Sequence, residues 1–162
     1  VAGLAKDPNW NGGWYYDKGG ITTIMTDIRI ETLKNYGIEA ALKGKFPDPV
    51  VREAELRRQA ELWAKTFDGH SLVVLRRAAL AVDIEKDFHK MRGKVKVLYV
   101  LSSTDKLYPP SIAPAVMEKL KAAGVDAQFF ELKSALGHFA SGPDAAKWAP
   151  ALRAFMERMA GK

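Results

Sequence analysis

Asp105 and His138 combine side chains suited to moving a proton with positions shortly after predicted strands. Each follows a short apolar segment with the character of a strand, residues 95–101 before Asp105 and residues 125–132 before His138. An aspartate can accept a hydrogen bond from one imidazole nitrogen and fix the tautomer, so that the other nitrogen can take a proton from a nucleophile. The alternative is that Asp105 caps a turn and His138 is an ordinary loop histidine, and spacing alone leaves both interpretations open.

The elements around this pair predict the C-terminal part of an α/β sheet. Residues 95–101 form a short apolar segment bounded by turn residues, which is typical of a buried parallel strand, and residues 125–132 predict a second strand. The helices predicted after them span residues 111–123 and 143–160. This order favours an open parallel sheet with right-handed crossovers, in which functional groups lie beyond the carboxyl ends of the strands. Adjacent parallel strands would therefore bring the acid and the histidine to one edge of the sheet.

The earlier part of the chain is predicted to be mostly helical. Residues 6–20 predict an aromatic-rich loop, since Asp7-Pro8 and Gly19-Gly20 are turn signals. Asp48 is placed to cap a later helix that has Pro49 in its first turn. The predicted helices cover residues 21–36, 49–67 and 71–82. We therefore divide the chain into an entry loop at 1–20, a helical insertion at 21–92 and the end of a sheet domain at 93–162.

The composition excludes several classes of function. The chain has no cysteine, which rules out disulfides and thiolate chemistry, and its three histidines lack the clustered carboxylates of a metal site, so no metal is predicted. The net charge of +6 comes from basic residues scattered among acidic ones, as on solvated helix faces, so no nucleic-acid partner is expected. No apolar run approaches the ~18 residues of a membrane span. Without a visible signal peptide the cytoplasm is favoured, although the compartment stays open.

Several stretches together resemble a known family. They are residues 103–110 (Ser-Thr-Asp-Lys-Leu-Tyr-Pro-Pro), residues 120–126 (Leu-Lys-Ala-Ala-Gly-Val-Asp), Gly137-His138 and the early loop at residues 7–15 (Asp-Pro-Asn-Trp-Asn-Gly-Gly-Trp-Tyr). This combination resembles the homoserine O-acetyltransferase-like branch of the α/β-hydrolases, whose triad occurs in the chain order Ser, Asp, His. The resemblance covers both ends of the chain and leaves a divergent helical middle where that family carries its lid.

The resemblance implies a serine hydrolase or acyltransferase that works through an acyl-enzyme. Asp105 would orient and stabilise His138, which would act first as general base and then as general acid. The lid at residues 21–92 would select a small-molecule ester or acyl substrate. Candidates for the pocket wall, with packing as the alternative role, are Trp14, Tyr15, Tyr108 and Phe139. The family needs no metal or tightly bound cofactor, and acetyl-CoA is a candidate co-substrate.

One departure from the family concerns the acyl acceptor. Homoserine acetyltransferases typically carry an acidic residue directly after the triad histidine, whereas Phe139 follows His138 here. A carboxylate that could help to hold an amino-acid substrate is therefore missing. Hydrolysis and transfer to a less polar acceptor both stay open.

The larger departure is that the sequence lacks a nucleophile elbow. No Gly-x-Ser-x-Gly occurs, and residues 69–73 (Gly-His-Ser-Leu-Val) lack the second glycine and lie between predicted helices. In the family the serine precedes the loop at residues 7–15, so we expect it upstream of Val1. Either the enzyme is cleaved into two chains that stay associated as a heterodimer, or this sequence is part of a longer protein.

Both explanations require a partner for the sheet. Two parallel strands with an exposed apolar edge are a poor isolated fold. We therefore expect the N-terminal half of the same hydrolase to bind through an apolar interface, and a higher homo-oligomer stays open. A second hypothesis is a non-catalytic interaction module built on a hydrolase remnant, which predicts that His138→Ala leaves function intact. The acid and the histidine at two strand ends favour the enzyme.

Overall fold

The computed structural model describes residues 3–161, which form six α-helices and two β-strands. The helices are α1 (Thr22–Tyr36), α2 (Ile38–Lys43), α3 (Pro49–Thr66), α4 (Gly69–Ala81), α5 (Ala113–Ala122) and α6 (Ala145–Met159), and the strands are β1 (Lys96–Ser102) and β2 (Asp126–Leu132). A 3-10 turn at Pro8–Gly13 precedes α1, and others lie between later elements, including Glu85–Met91 and Gly137–Phe139. Among the described residues, no helix combines the length and apolar character that a membrane crossing requires.

The chain forms two compact units that do not follow simple sequence order. The first unit contains residues 3–35 together with Leu42–Val82. The second contains Tyr36–Ala41 together with residues 83–161. A six-residue segment from the helical region therefore belongs with the strands.

Side-chain caps explain where the helices of the first unit begin. The carboxylate of Asp48 accepts hydrogen bonds from the N–H groups of Val50 and Val51, so the predicted cap of α3 is confirmed. Asp68 caps α4 in the same way by accepting from Ser71. One buried core cluster of this unit contains Leu4, Tyr15, Ile21, Met25, Ala64 and Val73.

The second unit contains the predicted strand-helix-strand arrangement. β1 and β2 pair in parallel, from Lys96 opposite Asp126 to Ser102 opposite Leu132, which confirms the predicted α/β class. The connecting helix α5 packs on β2, and α6 packs against both strands. The buried core cluster here is formed by Phe88, Leu120 and Val125.

The prediction that the first strand is buried is wrong for most of its length. Only Leu101 and Ser102 of β1 and Leu132 of β2 are buried, and Phe129 is 38% exposed. Within residues 3–161 the sheet has two strands, so each strand pairs along one edge alone. The apolar residues of the strands, which a wider sheet would bury, therefore stay partly exposed.

Candidate active site

The carboxyl ends of the two strands place the predicted acid and histidine in direct contact. Asp105 lies in the loop after β1, and His138 lies in the 3-10 turn Gly137–Phe139 after β2. Nδ1 of His138 is 2.8 Å from Oδ2 of Asp105. Because a carboxylate can only accept, the Nδ1–H group must be the donor. This tautomer leaves Nε2 as the nitrogen that can take a proton from a nucleophile.

The carboxylate of Asp105 is buried and held by several donors. Asp105 is 8% exposed, and its Oδ1 accepts hydrogen bonds from the N–H groups of Leu107 at 2.8 Å and Tyr108 at 3.1 Å. Burial by itself would raise the pKa of Asp105, but the hydrogen bonds from His138 and the two N–H groups outweigh burial and hold the pKa below its ordinary 3.8. The group is therefore a fixed negative charge at neutral pH.

The imidazole is more accessible than its acidic partner. The side chain of His138 is 34% exposed, against 7% for the side chain of Asp105. A triad needs this asymmetry, because the acid must be shielded from water while the histidine must reach the reacting groups.

Serine and threonine hydroxyls tie the loop of the acid to the loop of the histidine. Oγ1 of Thr104 donates to the carbonyl of Ser134 at 2.8 Å and accepts from the N–H of Gly137 at 3.1 Å. Oγ of Ser103 donates to the same carbonyl at 3.0 Å and accepts from the N–H of Ser134 at 3.1 Å. Sequence reasoning missed these roles, and the run of hydroxyl residues before Asp105 was the available signal.

Aromatic rings pack against the imidazole. The ring centroids of Tyr36 and Tyr108 lie 4.7 and 5.7 Å from that of His138, and Phe139 meets Tyr36 edge to face at 5.8 Å. Gly137 has φ +57°, and a Cβ built there would lie 2.7 Å from the carbonyl oxygen of Tyr36, so this position requires glycine. Tyr36 was not predicted, because it ends a helix whose periodicity says nothing about a distant loop.

A small open cleft lies beside the acid and the histidine. Its volume is about 240 Å³, and its lining includes Ser102, Asp105, Tyr108, His138 and Ser141. Oγ of Ser102 is buried and has no hydrogen-bond partner among the described residues. The cleft is smaller than the ~300–1,000 Å³ typical of a small-molecule site. The cleft is therefore more consistent with part of the wall of a larger substrate site than with a complete pocket.

The remaining predicted pocket residues, Trp14 and Tyr15, lie in the first unit. Trp14 is 76% exposed, whereas Tyr15 is buried and its hydroxyl donates to Asp68 and accepts from the N–H of Gly69 at 2.9 Å. Burial, together with the hydrogen bond to Asp68, raises the pKa of the Tyr15 hydroxyl. Tyr15 thus serves the core of its own unit, and a pocket role for either residue stays a prediction.

The part of the chain that the structure describes offers no candidate metal centre. No group of three or more His, Asp or Glu side chains with the spacing of metal ligands occurs in residues 3–161. The chemistry that the site can perform with its own groups is proton transfer at Nε2 of His138.

Comparison with known proteins finds relatives in one group of acyltransferases. The homoserine O-acetyltransferase of Haemophilus influenzae is 31% identical over 153 residues, and the alignment covers 83% of this chain and 42% of that protein. The chain spans less than half the length of the curated relatives it matches. No family model matches the chain.

Solved structures show the same fold. The crystal structure of esterase E22 has a TM-score of 0.76 at 20% identity, covering 96% of this chain and 48% of the esterase. The homoserine O-acetyltransferase from Bacillus anthracis has a TM-score of 0.74 at 19% identity, covering 91% of this chain and 44% of that enzyme. At these identities the likeness concerns the fold alone.

Proposed function

Since the chain belongs to the α/β-hydrolase superfamily, in its homoserine O-acetyltransferase-like branch, we propose that it is the C-terminal part of a serine hydrolase or acyltransferase. It would supply the acid and the histidine of the triad, while the nucleophilic serine lies on an upstream segment or a separate chain. The observation that carries this proposal is the 2.8 Å contact between Nδ1 of His138 and Oδ2 of Asp105.

In the proposed mechanism His138 is the proton carrier. Its Nε2 takes the proton of the serine hydroxyl as the oxygen attacks the acyl carbon, and the imidazolium then gives that proton to the leaving group. Asp105 stabilises the imidazolium from its buried position and keeps the productive tautomer. Water or an alcohol acceptor then attacks the acyl carbon while Nε2 of His138 takes its proton, and the imidazolium gives that proton to the serine oxygen as the acyl–serine bond breaks.

We assign substrate choice to the helical residues 21–92, acting as a lid, and to the aromatic residues near the histidine. Tyr108 and Phe139 lie beside His138. The residue after the histidine is an aromatic ring packed on Tyr36 and carries no carboxylate, which supports an ester substrate or an acceptor less polar than an amino acid. Acetyl-CoA is the acyl donor to test first if the reaction is a transfer.

The proposed partner is the N-terminal half of the same hydrolase. Within the described residues β1 and β2 each leave one edge without a neighbouring strand, and the apolar side chains on the strands are only half-buried. Additional strands would pair with these edges and bury those side chains. Proteolytic processing into a heterodimer and a continuous longer chain both satisfy this requirement.

A fluorophosphonate probe tests the proposal, because it labels the activated serine of serine hydrolases covalently. The protein as it occurs in its source is labelled, digested and mapped by mass spectrometry, alongside a denaturing intact mass and a native mass. We expect the label upstream of Val1, on the same or a second polypeptide, and its loss in His138→Ala. A label on Ser102 or Ser141 would refute the placement of the nucleophile. A protein that the probe does not label, and whose function is unchanged by His138→Ala, would favour the non-catalytic module.

A further inference from the structure

Thr104 is placed to control the orientation of the histidine. Thr104 directly precedes Asp105, and its Oγ1 accepts a hydrogen bond from the N–H of Gly137, which directly precedes His138. We propose that Thr104 is a positioning residue, whose hydroxyl holds the turn of His138 in register with the acid. This inference rests on the proposed function and assigns the residue a role within the same site.

The N–H of Gly137 needs the partner that Thr104 provides. Gly137 is buried and begins the turn Gly137–Phe139, which has no side-chain cap from Leu136. The first N–H groups of a helical turn have no partner within it, and a buried N–H without a partner costs about 1–3 kcal/mol. The 3.1 Å hydrogen bond to Oγ1 of Thr104 satisfies this group and fixes the direction in which the turn starts.

The rest of the loop junction does not depend on Thr104 alone. The carbonyl of Ser134 accepts hydrogen bonds from both Ser103 and Thr104, so it keeps one donor when either hydroxyl is removed. Ser103 also holds the N–H of Ser134. Removing the Thr104 hydroxyl should therefore leave the two loops tied while releasing the turn that carries the histidine.

Three variants separate the hydroxyl from the shape of the side chain. Thr104→Val removes Oγ1 with almost no change of volume, Thr104→Ser keeps the oxygen, and Ser103→Ala removes the neighbouring hydroxyl. All are made in the complete protein that contains the nucleophile, and hydrolysis of p-nitrophenyl acetate is followed across pH. A misplacement of a catalytic group by about 1 Å can reduce rates by ~10²-fold.

We expect Thr104→Val to lower kcat by about 10- to 100-fold with KM nearly unchanged, and Thr104→Ser to restore most of the rate. Hydrogen exchange at the Gly137 amide should be slow in the parent and in Thr104→Ser and fast in Thr104→Val. Ser103→Ala should change kcat less than Thr104→Val. If Thr104→Val does not fold, Thr104→Ala takes its place in the same comparison with Thr104→Ser.

Opposite results overturn the inference in distinct ways. Equal losses in Thr104→Val and Thr104→Ser would show that the hydroxyl is not responsible. Equal losses in Thr104→Val and Ser103→Ala with a lowered Tm in both would show a general tie between loops. If Thr104→Val has the kcat of the parent while His138→Ala is inactive, the inference is refuted and the proposed function stands. If His138→Ala is active, the proposed function itself is refuted.

Discussion

Replacing Asp105 with asparagine should remove the carboxylate that orients His138 in the proposed triad without disturbing the shape of the site. Oδ1 accepts two backbone N–H groups, from Leu107 and Tyr108, so the oxygen of an asparagine must stay on that side. The reverse orientation would set its NH₂ group against those two donors. The NH₂ group of Asp105→Asn therefore faces Nδ1 of His138, which is forced to accept.

The size of the loss follows from the tautomer. When Nδ1 accepts, the ring proton moves to Nε2, and Nε2 can no longer take the proton of a serine. The equivalent change in serine proteases lowers kcat by ~10⁴-fold, which corresponds to about 5.5 kcal/mol in the barrier. We expect a loss of that order for Asp105→Asn, with a Tm close to that of the parent.

The assay is single-turnover acylation of the complete protein by p-nitrophenyl acetate. The matched control is Asp126→Asn, since Asp126 is an aspartate at the opposite end of β2 whose partner Arg158 is 2.7 Å away on the surface. An exposed pair of this kind contributes ~1 kcal/mol or less, so the acylation rate of Asp126→Asn should equal that of the parent. Near-normal acylation by Asp105→Asn would refute the role of the acid, and an equal loss in Asp126→Asn would point to general damage.

Three further predictions concern the surroundings of the histidine and the first unit. Gly137→Ala should lower stability by ~1–3 kcal/mol and reduce kcat, because Gly137 has a positive φ and the added Cβ would clash with the carbonyl oxygen of Tyr36. In Gly142→Ala, in the same loop, the added Cβ meets no atom within 4 Å, so the Tm should not change. Tyr36→Leu should lower kcat by up to about tenfold through loss of ring packing on His138, with Tyr36→Phe unaffected; equal rates in both would exclude a role for the ring. Burial by itself would raise the pKa of Asp68, but the hydrogen bonds that it accepts outweigh burial and lower the pKa from 3.8 to about 2. Its charge therefore stabilises the fold at neutral pH, and this contribution is lost as the pH falls from about 4 to about 2. The free energies of unfolding of the parent and of Asp68→Asn should converge as the pH falls through that window. A difference between the two that stays constant with pH would contradict the assignment.

The sequence predicts the parts of this fold that depend on local signals. The two strands, the cap at Asp48 and the loops that carry Asp105 and His138 are marked by apolar runs and turn residues, and adjacent parallel strands then require the loops to meet. These rules need no knowledge of distant contacts.

The features that sequence reasoning missed depend on long-range packing. Helix α2 is too short, at six residues, to show a period. Nothing near Tyr36 in sequence indicates that its ring meets His138. The run of hydroxyl residues before Asp105 signals hydrogen bonding in that loop, but it does not identify Gly137 as the partner of Thr104. The exposure of β1 was also missed, since an apolar run shows what a strand can bury but not whether a neighbour is present.

The placement of Tyr36–Ala41 in the second unit limits how this chain can be recombined. The backbone passes between the units at three points, after Asn35, after Ala41 and after Val82, so no single cut yields two complete modules. A helical insertion exchanged as one block, residues 21–92, would take with it the tyrosine that packs on the histidine. Chimaeras that alter substrate preference should therefore exchange residues 3–35 and 42–82 together and keep Tyr36–Ala41 with the parent sheet.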